Sequence, residues 1–210
     1  MTATATVQRS ADRVRVLREG HHPDLGSAEA AASRFLQALG VPTTGPGLDE
    51  TPRRMAQAYA EMLTPRTFDL TTFPNDEGYD ELVLARSIPV QSLCEHHMLP
   101  FVGVAHVGYL PRDRIVGLST LARVVELFAR RPQVQERLTK QVADWLHDHL
   151  QPRGVGVVLE AEHLCMSLRG VRSAGSTTVT STLLGTLRED PGSRAEFLAL
   201  TAQPGGRARS

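Results

Sequence analysis

Hydrophobic positions recur with a helical period in the first third of the chain, after a polar start. The spacing predicts a helix over residues 27–39 and a second helix over residues 51–64. Residues 1–26 show no such period, so we expect a flexible N-terminal arm there and a similar flexible tail over residues 203–210. The pattern thus predicts one folded domain over residues 27–202.

Apolar residues then alternate with a period of two, which is typical of strands that are buried on one face. The predicted elements are strands over residues 82–93 and 102–110, helices from residue 119 and over residues 133–150, strands over residues 155–168 and 177–187, and a short helix after residue 190. This order predicts an α+β fold in which antiparallel strand pairs flank a helix pair. The outer strands of such a sheet need cover or a partner chain, which favours a homo-oligomer.

Charge and composition argue against several classes of function. The chain has 23 basic and 23 acidic residues, so its formal net charge of zero argues against a broad nucleic-acid or membrane-surface footprint. No apolar run is long enough to span a membrane, and residues 1–20 lack the apolar core of a signal peptide. We therefore expect a cytoplasmic protein, in whose reducing setting the two cysteines stay free for metal binding.

The two cysteines belong to a candidate metal site. Cys94 and His97 lie close together in a predicted turn, and Cys165 lies much later, on a predicted strand. Two thiolates and one imidazole suit zinc, and three protein ligands leave a fourth position for water, as catalytic zinc sites do. A zinc ion in such a site lowers the pKa of bound water to about 7. Spacing alone leaves open a buried, inert cysteine pair or a disulfide bridge.

Two further histidines flank this candidate site. His96 precedes one ligand, and His163 lies shortly before Cys165, so that on a strand both of these side chains would point to the same face. An imidazole with an ordinary pKa of about 6.5 can carry protons at neutral pH. We therefore interpret His96 and His163 as acid–base candidates, whereas His106, on a predicted strand, is expected to be a core or interface residue.

Several motifs, in one order along the chain, resemble those of the GTP cyclohydrolase I family. The first is residues 92–103, with the sequence SLCEHHMLPFVG, and the second is residues 131–139, with the sequence RPQVQERLT. The third is residues 162–166, with the sequence EHLCM, and the pair Arg169-Gly170 follows it. The similarity extends over most of the predicted domain.

This resemblance implies a fold, an assembly and a reaction. Family members have the tunnelling fold and form toroidal decamers from two pentameric rings, with active sites between subunits. Their zinc-dependent reaction opens the purine ring of GTP at C8 with water. It yields 7,8-dihydroneopterin triphosphate and formate, the first step of tetrahydrofolate or pterin biosynthesis. The resemblance therefore makes GTP the expected substrate and zinc the expected cofactor of this chain.

The resemblance also assigns catalytic roles. Cys94, His97 and Cys165 match the zinc ligands of the family. His96 matches a histidine that protonates the purine at N7, which makes C8 electrophilic. His163 matches a second acid–base residue, which is used in opening the imidazole ring.

Recognition of the base is expected from the second motif. Glu136 matches a carboxylate that binds guanine, whose N1–H and exocyclic amine are parallel donors for two carboxylate oxygens. Gln135 matches its neighbour in base recognition. From the residues alone, a solvated first helical turn is the favoured explanation of both. Glu95 matches a residue of the substrate pocket, and the orientation of a ligand histidine is its alternative role.

The triphosphate needs positive charge, and the resemblance supplies candidates. Arg123 and Arg169 match phosphate contacts of the family. Ser119 opens a predicted helix, where free backbone N–H groups favour anions, and we expect it in the catalytic set. Leu118 and Thr120 are expected to line the substrate pocket.

Thr120 departs from the family pattern, which usually has lysine at this position. A hydroxyl brings no charge, and a lost charge-assisted contact is worth about 1.5–3 kcal/mol. The alternative to a complete GTP cyclohydrolase I is therefore a specialised paralogue with altered nucleotide preference or arrested chemistry, in a deazapurine or pterin route. A non-catalytic scaffold is a third alternative. Against it argue the intact Cys94, His97, Cys165, His96, His163 and Glu136.

Overall fold

The first two strands of the chain belong to a four-stranded antiparallel sheet. The computed structural model describes residues 5–10, 13–18 and 22–202. The sheet has the order β1-β2-β3-β6 and consists of β1 (Ala5–Ser10), β2 (Arg13–Arg18), β3 (Phe68–Pro74) and β6 (Arg114–Val116). The predicted N-terminal arm thus contains two strands that its pattern did not indicate, and its remaining residues up to residue 21 lie outside the described residues. The predicted tail over residues 203–210 lies outside them as well.

The two predicted N-terminal helices are confirmed. Helix α1 is Leu25–Ala38 and helix α2 is Thr51–Leu63, and the two pack against each other. The Asp24 carboxylate caps α1 by accepting a hydrogen bond from the backbone N–H of Ser27 at 3.0 Å. No helix in the described part of the chain combines the length and the apolar composition that a membrane span needs.

A five-stranded sheet forms the centre of the domain. Its order is β7-β4-β5-β8-β9, and all neighbours are antiparallel except β7 and β4. The strands are β4 (Val83–Cys94), β5 (Pro100–Leu110), β7 (Pro132–Gln133), β8 (Gly154–His163) and β9 (Thr177–Gly185). Within the described part of the chain, strand β9 has a neighbour on one side only, so its other edge is open there.

Helices α3 (Leu118–Ala129) and α4 (Gln135–Leu150) cover one face of this sheet and form the main core with it. Apolar side chains with at most 1% exposure fill this layer, namely Leu121, Val124, Val125, Leu138, Val142 and Leu146 from the helices and Phe101, Val107 and Val157 from the strands. The other face carries a smaller cluster around Phe197 of α7 (Pro191–Ala202), which follows the short α6 (Thr186–Glu189). The mixed α+β fold is confirmed. The predicted strand pairs do not flank the helix pair, because β4-β5 and β8-β9 join in one sheet and both helices lie on one face of it.

The predicted strand over residues 155–168 is wrong in its last part. Strand β8 ends at His163, and residues Leu164–Ser167 form a short helix, α5. The last pairs of β8 are His163 with Phe101 on one side and Glu162 with Thr177 on the other, so neither neighbour continues beyond His163. Backbone groups beyond that point need local partners, and the Leu168 N–H donates to the Leu164 carbonyl at 3.1 Å.

Candidate metal centre and active site

Cys94 is the last residue of β4 and begins a tight turn. The Cys94 carbonyl accepts the Met98 N–H at 2.8 Å, and the Cys94 N–H donates to the Leu99 carbonyl at 2.8 Å. Met98 takes a left-handed backbone with φ of 53°, which reverses the chain so that β5 can start. The Tyr59 hydroxyl of α2 donates to the Met98 carbonyl at 3.2 Å. The turn is therefore held by its own backbone hydrogen bonds and by one from α2, and it keeps His97 beside Cys94.

Cys165 completes a three-ligand group with Cys94 and His97. One ligand atom from each residue lies within 4.8 Å of the other two, and Cys94 Sγ lies 3.8 Å from His97 Nδ1. Tetrahedral zinc, with bonds of about 2.3 Å to sulfur and about 2.0 Å to nitrogen, would need separations close to these. Both cysteines are free and buried, whereas His97 is exposed. The predicted convergence is confirmed, and one side of the group is open to solvent.

The two thiols themselves indicate a cation. Burial raises the pKa of Cys165, and the neighbouring Cys94 raises it further, whereas the charge of Arg169 opposes both effects. Two adjacent thiols therefore resist becoming two thiolates in the bare chain. A divalent cation between them would remove this penalty, because metal binding drives ligand deprotonation. The donor set fits zinc.

His96 lies on the solvent side of this group. Its Nδ1 is 4.0 Å from Cys94 Sγ, and its ring meets the His97 ring edge to face, with centroids 6.3 Å apart. The side chain is exposed. An imidazole in this position can contact a ligand that approaches the metal group from solvent.

His163 is the last residue of β8, and its surroundings differ from those expected. The prediction that His163 and Cys165 share one face of a strand is wrong, because Cys165 lies in α5. The His163 ring stacks on Phe101, with centroids 4.7 Å apart and planes 13° apart, and its Nε2 is 2.8 Å from Gln135 Oε1. Burial lowers the pKa of His163, and the charge of Glu136 partly opposes this. The ring therefore favours the neutral form near pH 7.

Gln135 and Glu136 begin α4 and face opposite environments. Gln135 is 1% exposed, and its carboxamide contacts β8 and β9, so the expectation of a side-chain contact with the base conflicts with its burial. Glu136 is exposed, and its charge acts on His163. Of the two side chains, only that of Glu136 is open to a ligand on the solvent side.

Glu95 makes a contact that sequence reasoning missed. Its two carboxylate oxygens accept hydrogen bonds from the Arg137 guanidinium at 2.7 and 2.8 Å. This pairing lowers the pKa of Glu95, although both side chains are partly exposed. The pair ties the turn that carries His96 and His97 to the first turn of α4. The only signal in the sequence is that Arg137 directly follows Glu136 in the second motif.

The expected phosphate contacts of α3 lie away from the metal group within one chain. The Gly117 N–H, just before α3, donates to the Thr71 carbonyl at 3.0 Å, and the Tyr109 hydroxyl accepts the Val116 N–H at 3.0 Å. Tyr109 lies eight residues along β5 from Phe101, which is about 26 Å at strand rise. Because Phe101 stacks on His163, the first turn of α3 lies near the other end of the sheet.

The side chains of the first two turns of α3 have different surroundings. Leu118, Ser119 and Arg123 are exposed. Thr120 is 1% exposed, so the expectation that its side chain lines a substrate pocket conflicts with its burial. Its backbone N–H donates to the Gly117 carbonyl at 2.8 Å. By contrast, Arg169 is exposed beside the metal group, where its charge acts on Cys165.

Fold and site together define a mixed α+β protein with a cysteine–histidine–cysteine group that could hold a metal ion and is open on one side. A sequence model of the family described as GTP cyclohydrolase I matches residues 28–202. A protein named GTP cyclohydrolase 1 from Mycobacteroides abscessus is 54% identical over 188 residues, which cover 86% of this chain and 91% of that protein. Proteins of the same name from Aquifex aeolicus and Streptomyces avermitilis are 50% and 54% identical, with 84% and 82% of this chain and 96% and 88% of those proteins covered. The chain belongs to the GTP cyclohydrolase I family.

Proposed function

We propose that this chain hydrolyses GTP to 7,8-dihydroneopterin triphosphate and formate, with zinc held by Cys94, His97 and Cys165, in the cytoplasm. The observation that carries the proposal is the convergence of these three ligand atoms within 4.8 Å in a member of this family. A bound zinc ion would supply a Lewis acid that makes water nucleophilic at neutral pH.

Two histidines divide the proton transfers. His96 is exposed beside the metal group, and it donates a proton to N7 of the purine, which draws electrons from C8. His163 has a lowered pKa, so near pH 7 it is neutral and accepts a proton as the imidazole ring opens. Burial of His163, by lowering its pKa, thus favours its role as the proton acceptor.

Glu136 selects guanine. Its exposed carboxylate accepts hydrogen bonds from the N1–H and the exocyclic amine of the base, and adenine lacks this donor pair. The Glu95–Arg137 pair positions the first turn of α4 against the turn that carries His96. Glu95 therefore serves the substrate pocket through Arg137 rather than by orienting a ligand histidine.

The phosphates bind where two copies of the chain meet. The metal group and the first turn of α3 are separated along β5 by a distance longer than one nucleotide. Arg169 serves from the metal side, and Ser119, Leu118 and Arg123 serve from the α3 of a neighbouring copy. The open edge of β9 supports assembly into a closed ring, since ring closure removes free sheet edges. We propose the tunnelling fold and the toroidal decamer of the family for this chain.

The test is turnover of GTP by purified, zinc-loaded protein. Formate and the oxidised, fluorescent pterin are measured separately, and equal amounts are expected. Formate without pterin would support the specialised paralogue that the missing lysine at Thr120 suggests. If neither product forms, the proposed activity is contradicted and the non-catalytic scaffold remains. The burial of Thr120 favours the complete reaction, because a buried position makes no direct phosphate contact.

A further inference from the structure

The carboxamide of Gln135 is surrounded by protein groups on all sides. Its Nε2 lies 3.1 Å from the Leu159 carbonyl, 2.8 Å from the Thr178 carbonyl and 3.2 Å from Thr180 Oγ1. Its Oε1 lies 2.8 Å from His163 Nε2. The side chain thus joins α4 to both β8 and β9, and its oxygen contacts His163.

These contacts determine which end of the Gln135 amide is the NH₂ group and which is the oxygen. Backbone carbonyls only accept hydrogen bonds, so the amide atom that faces Leu159 and Thr178 must be the NH₂ group. The oxygen therefore faces His163, and an oxygen of this kind only accepts. The hydrogen of this bond must come from the ring, so Nε2 of His163 carries a proton.

A hydroxyl relay reinforces this direction. Thr139 Oγ1 donates to the Gln135 carbonyl at 2.8 Å, so its hydrogen is used, and Thr180 Oγ1 must donate to Thr139 Oγ1 at 2.6 Å. Thr180 Oγ1 can then accept from Gln135 Nε2. The two Nε2 hydrogens are thus shared among three acceptors, and flipping the amide would oppose its oxygen to two carbonyls.

We infer that Gln135 is a positioning residue, which holds His163 as the Nε2–H tautomer and leaves Nδ1 as the ring nitrogen that exchanges a proton with the substrate. This assignment rests on the proposed function for the role of His163 in the reaction, but not for the tautomer itself. The stack on Phe101 fixes the plane of the ring, and the bond from Gln135 fixes its rotation within that plane. Recognition of the base is left to Glu136.

The tautomer is tested directly by NMR on zinc-loaded protein with ¹⁵N-labelled histidine. At about pH 8, above the ordinary imidazole pKa, we expect the His163 signals of the unmodified chain to show a protonated Nε2 and a bare Nδ1. A protonated Nδ1 in the unmodified chain would overturn the inference. This measurement needs no variant and no turnover, so it stays informative even if GTP is not the substrate.

The positioning role is tested with Gln135→Met, which keeps the length of the side chain but removes both hydrogen-bonding ends. We expect a mixture of His163 tautomers and a fall in kcat of about 10–100-fold, with a much smaller change in KM. An unchanged tautomer with an unchanged kcat would overturn the role. A rise in KM at constant kcat would also overturn it, since that result indicates direct contact with the base.

The matched control is Gln133→Met. Gln133 is also a fully buried glutamine, and its Nε2 donates to the Phe128 carbonyl at 2.9 Å and to Gln141 Oε1 at 2.8 Å. This variant loses buried hydrogen bonds of the same kind without touching His163. We therefore expect the ¹⁵N signals of His163 in this variant to match those in the unmodified chain. A shifted pattern in this control would overturn the specific link from Gln135 to His163.

Discussion

The ring of Phe197 lies directly over Gly156, on the sheet face opposite α3 and α4. A Cβ on Gly156 would lie 2.7 Å from the ring, which is closer than van der Waals contact permits. The strand therefore needs glycine here so that α7 can pack against the sheet.

We expect Gly156→Ala to lower the free energy of unfolding by about 1–3 kcal/mol, because the ring must move within a packed cluster. Urea unfolding measures the loss, and the double variant Gly156→Ala with Phe197→Leu should recover part of it. The control is Gly26→Ala in α1, where the new Cβ meets only Asp24 at 3.6 Å. An equal loss in this control would show that contact with Phe197 is not the cause.

Removal of one thiol should remove the metal. We expect Cys165→Ala to weaken zinc affinity by more than about 100-fold, since loss of a direct ligand exceeds the usual cost of losing a supporting contact. Zinc content per chain after dialysis, measured by atomic emission, checks this. His147→Ala, at an exposed histidine outside the group, should keep its zinc. Full zinc content in Cys165→Ala would contradict the three-ligand centre.

His106 should make stability depend on pH. Burial lowers the pKa of His106, Arg86 lowers it further, and Glu160 opposes them. Between this lowered value and the unfolded value of about 6.5, the unfolded chain binds more protons, so stability rises with pH. As pH falls from above the unfolded pKa towards the folded one, His106 destabilises the fold by up to about 1.4 kcal/mol per unit of pKa difference.

The variant His106→Gln removes this titration and tests the sign. We expect its free energy of unfolding to fall less than that of the unmodified chain when the pH is lowered from neutral to mildly acid. Other titrating groups are common to both proteins and cancel in the difference. A steeper fall in the variant would show that the folded-state pKa is raised.

Much of the fold follows from local pattern, as the helix pair α3 and α4 illustrates. Their apolar positions recur with a period of 3.6, so the sequence predicts both the helices and their buried faces. Strand β6 is different, because it is only three residues long and pairs with β3 from a distant part of the chain. No local period marks such a strand. The end of β8 at His163 likewise depends on where β5 and β9 stop.

In the candidate site, too, some residues can be interpreted from local sequence and others only from the fold. The ligand types and spacing of Cys94 and His97 predict a metal site without knowledge of the fold. Gln135 could not be interpreted in this way, because its role depends on carbonyls of β8 and β9 that lie 24 and 43 residues away. The family resemblance assigned it to base recognition with Glu136, whereas consecutive helical residues face different directions.

The Glu95–Arg137 pair should control one carboxyl group of the site. The pKa of Glu95 is lowered by its hydrogen bonds to Arg137, so Arg137→Gln should raise it towards the ordinary carboxyl value. An NMR titration of the labelled side-chain carboxyl measures the shift. Lys140→Gln is the control, since Lys140 pairs with Asp144 on the same helix and leaves Glu95 untouched. Equal shifts in both variants would point to general charge loss instead.

A site shared between two copies can be tested by mixing two inactive variants. We expect Cys165→Ala to damage the metal side and Arg123→Ala to damage the proposed phosphate side. In mixed oligomers about a quarter of the shared sites would combine an intact metal side from one chain with an intact α3 from its neighbour. We therefore expect co-expressed, doubly tagged oligomers to recover up to about a quarter of the activity.

The decisive comparison is with oligomers of Cys165→Ala and Cys94→Ala. Both of these variants damage the metal side, so no combination of neighbours restores a complete site, and activity should stay at background. Recovery in this second mixture would indicate exchange of metal or chains rather than complementation. Background activity in the first mixture would mean that each chain carries its own phosphate contacts. Arg169, which lies beside the metal group of the same chain, would then have to supply that charge.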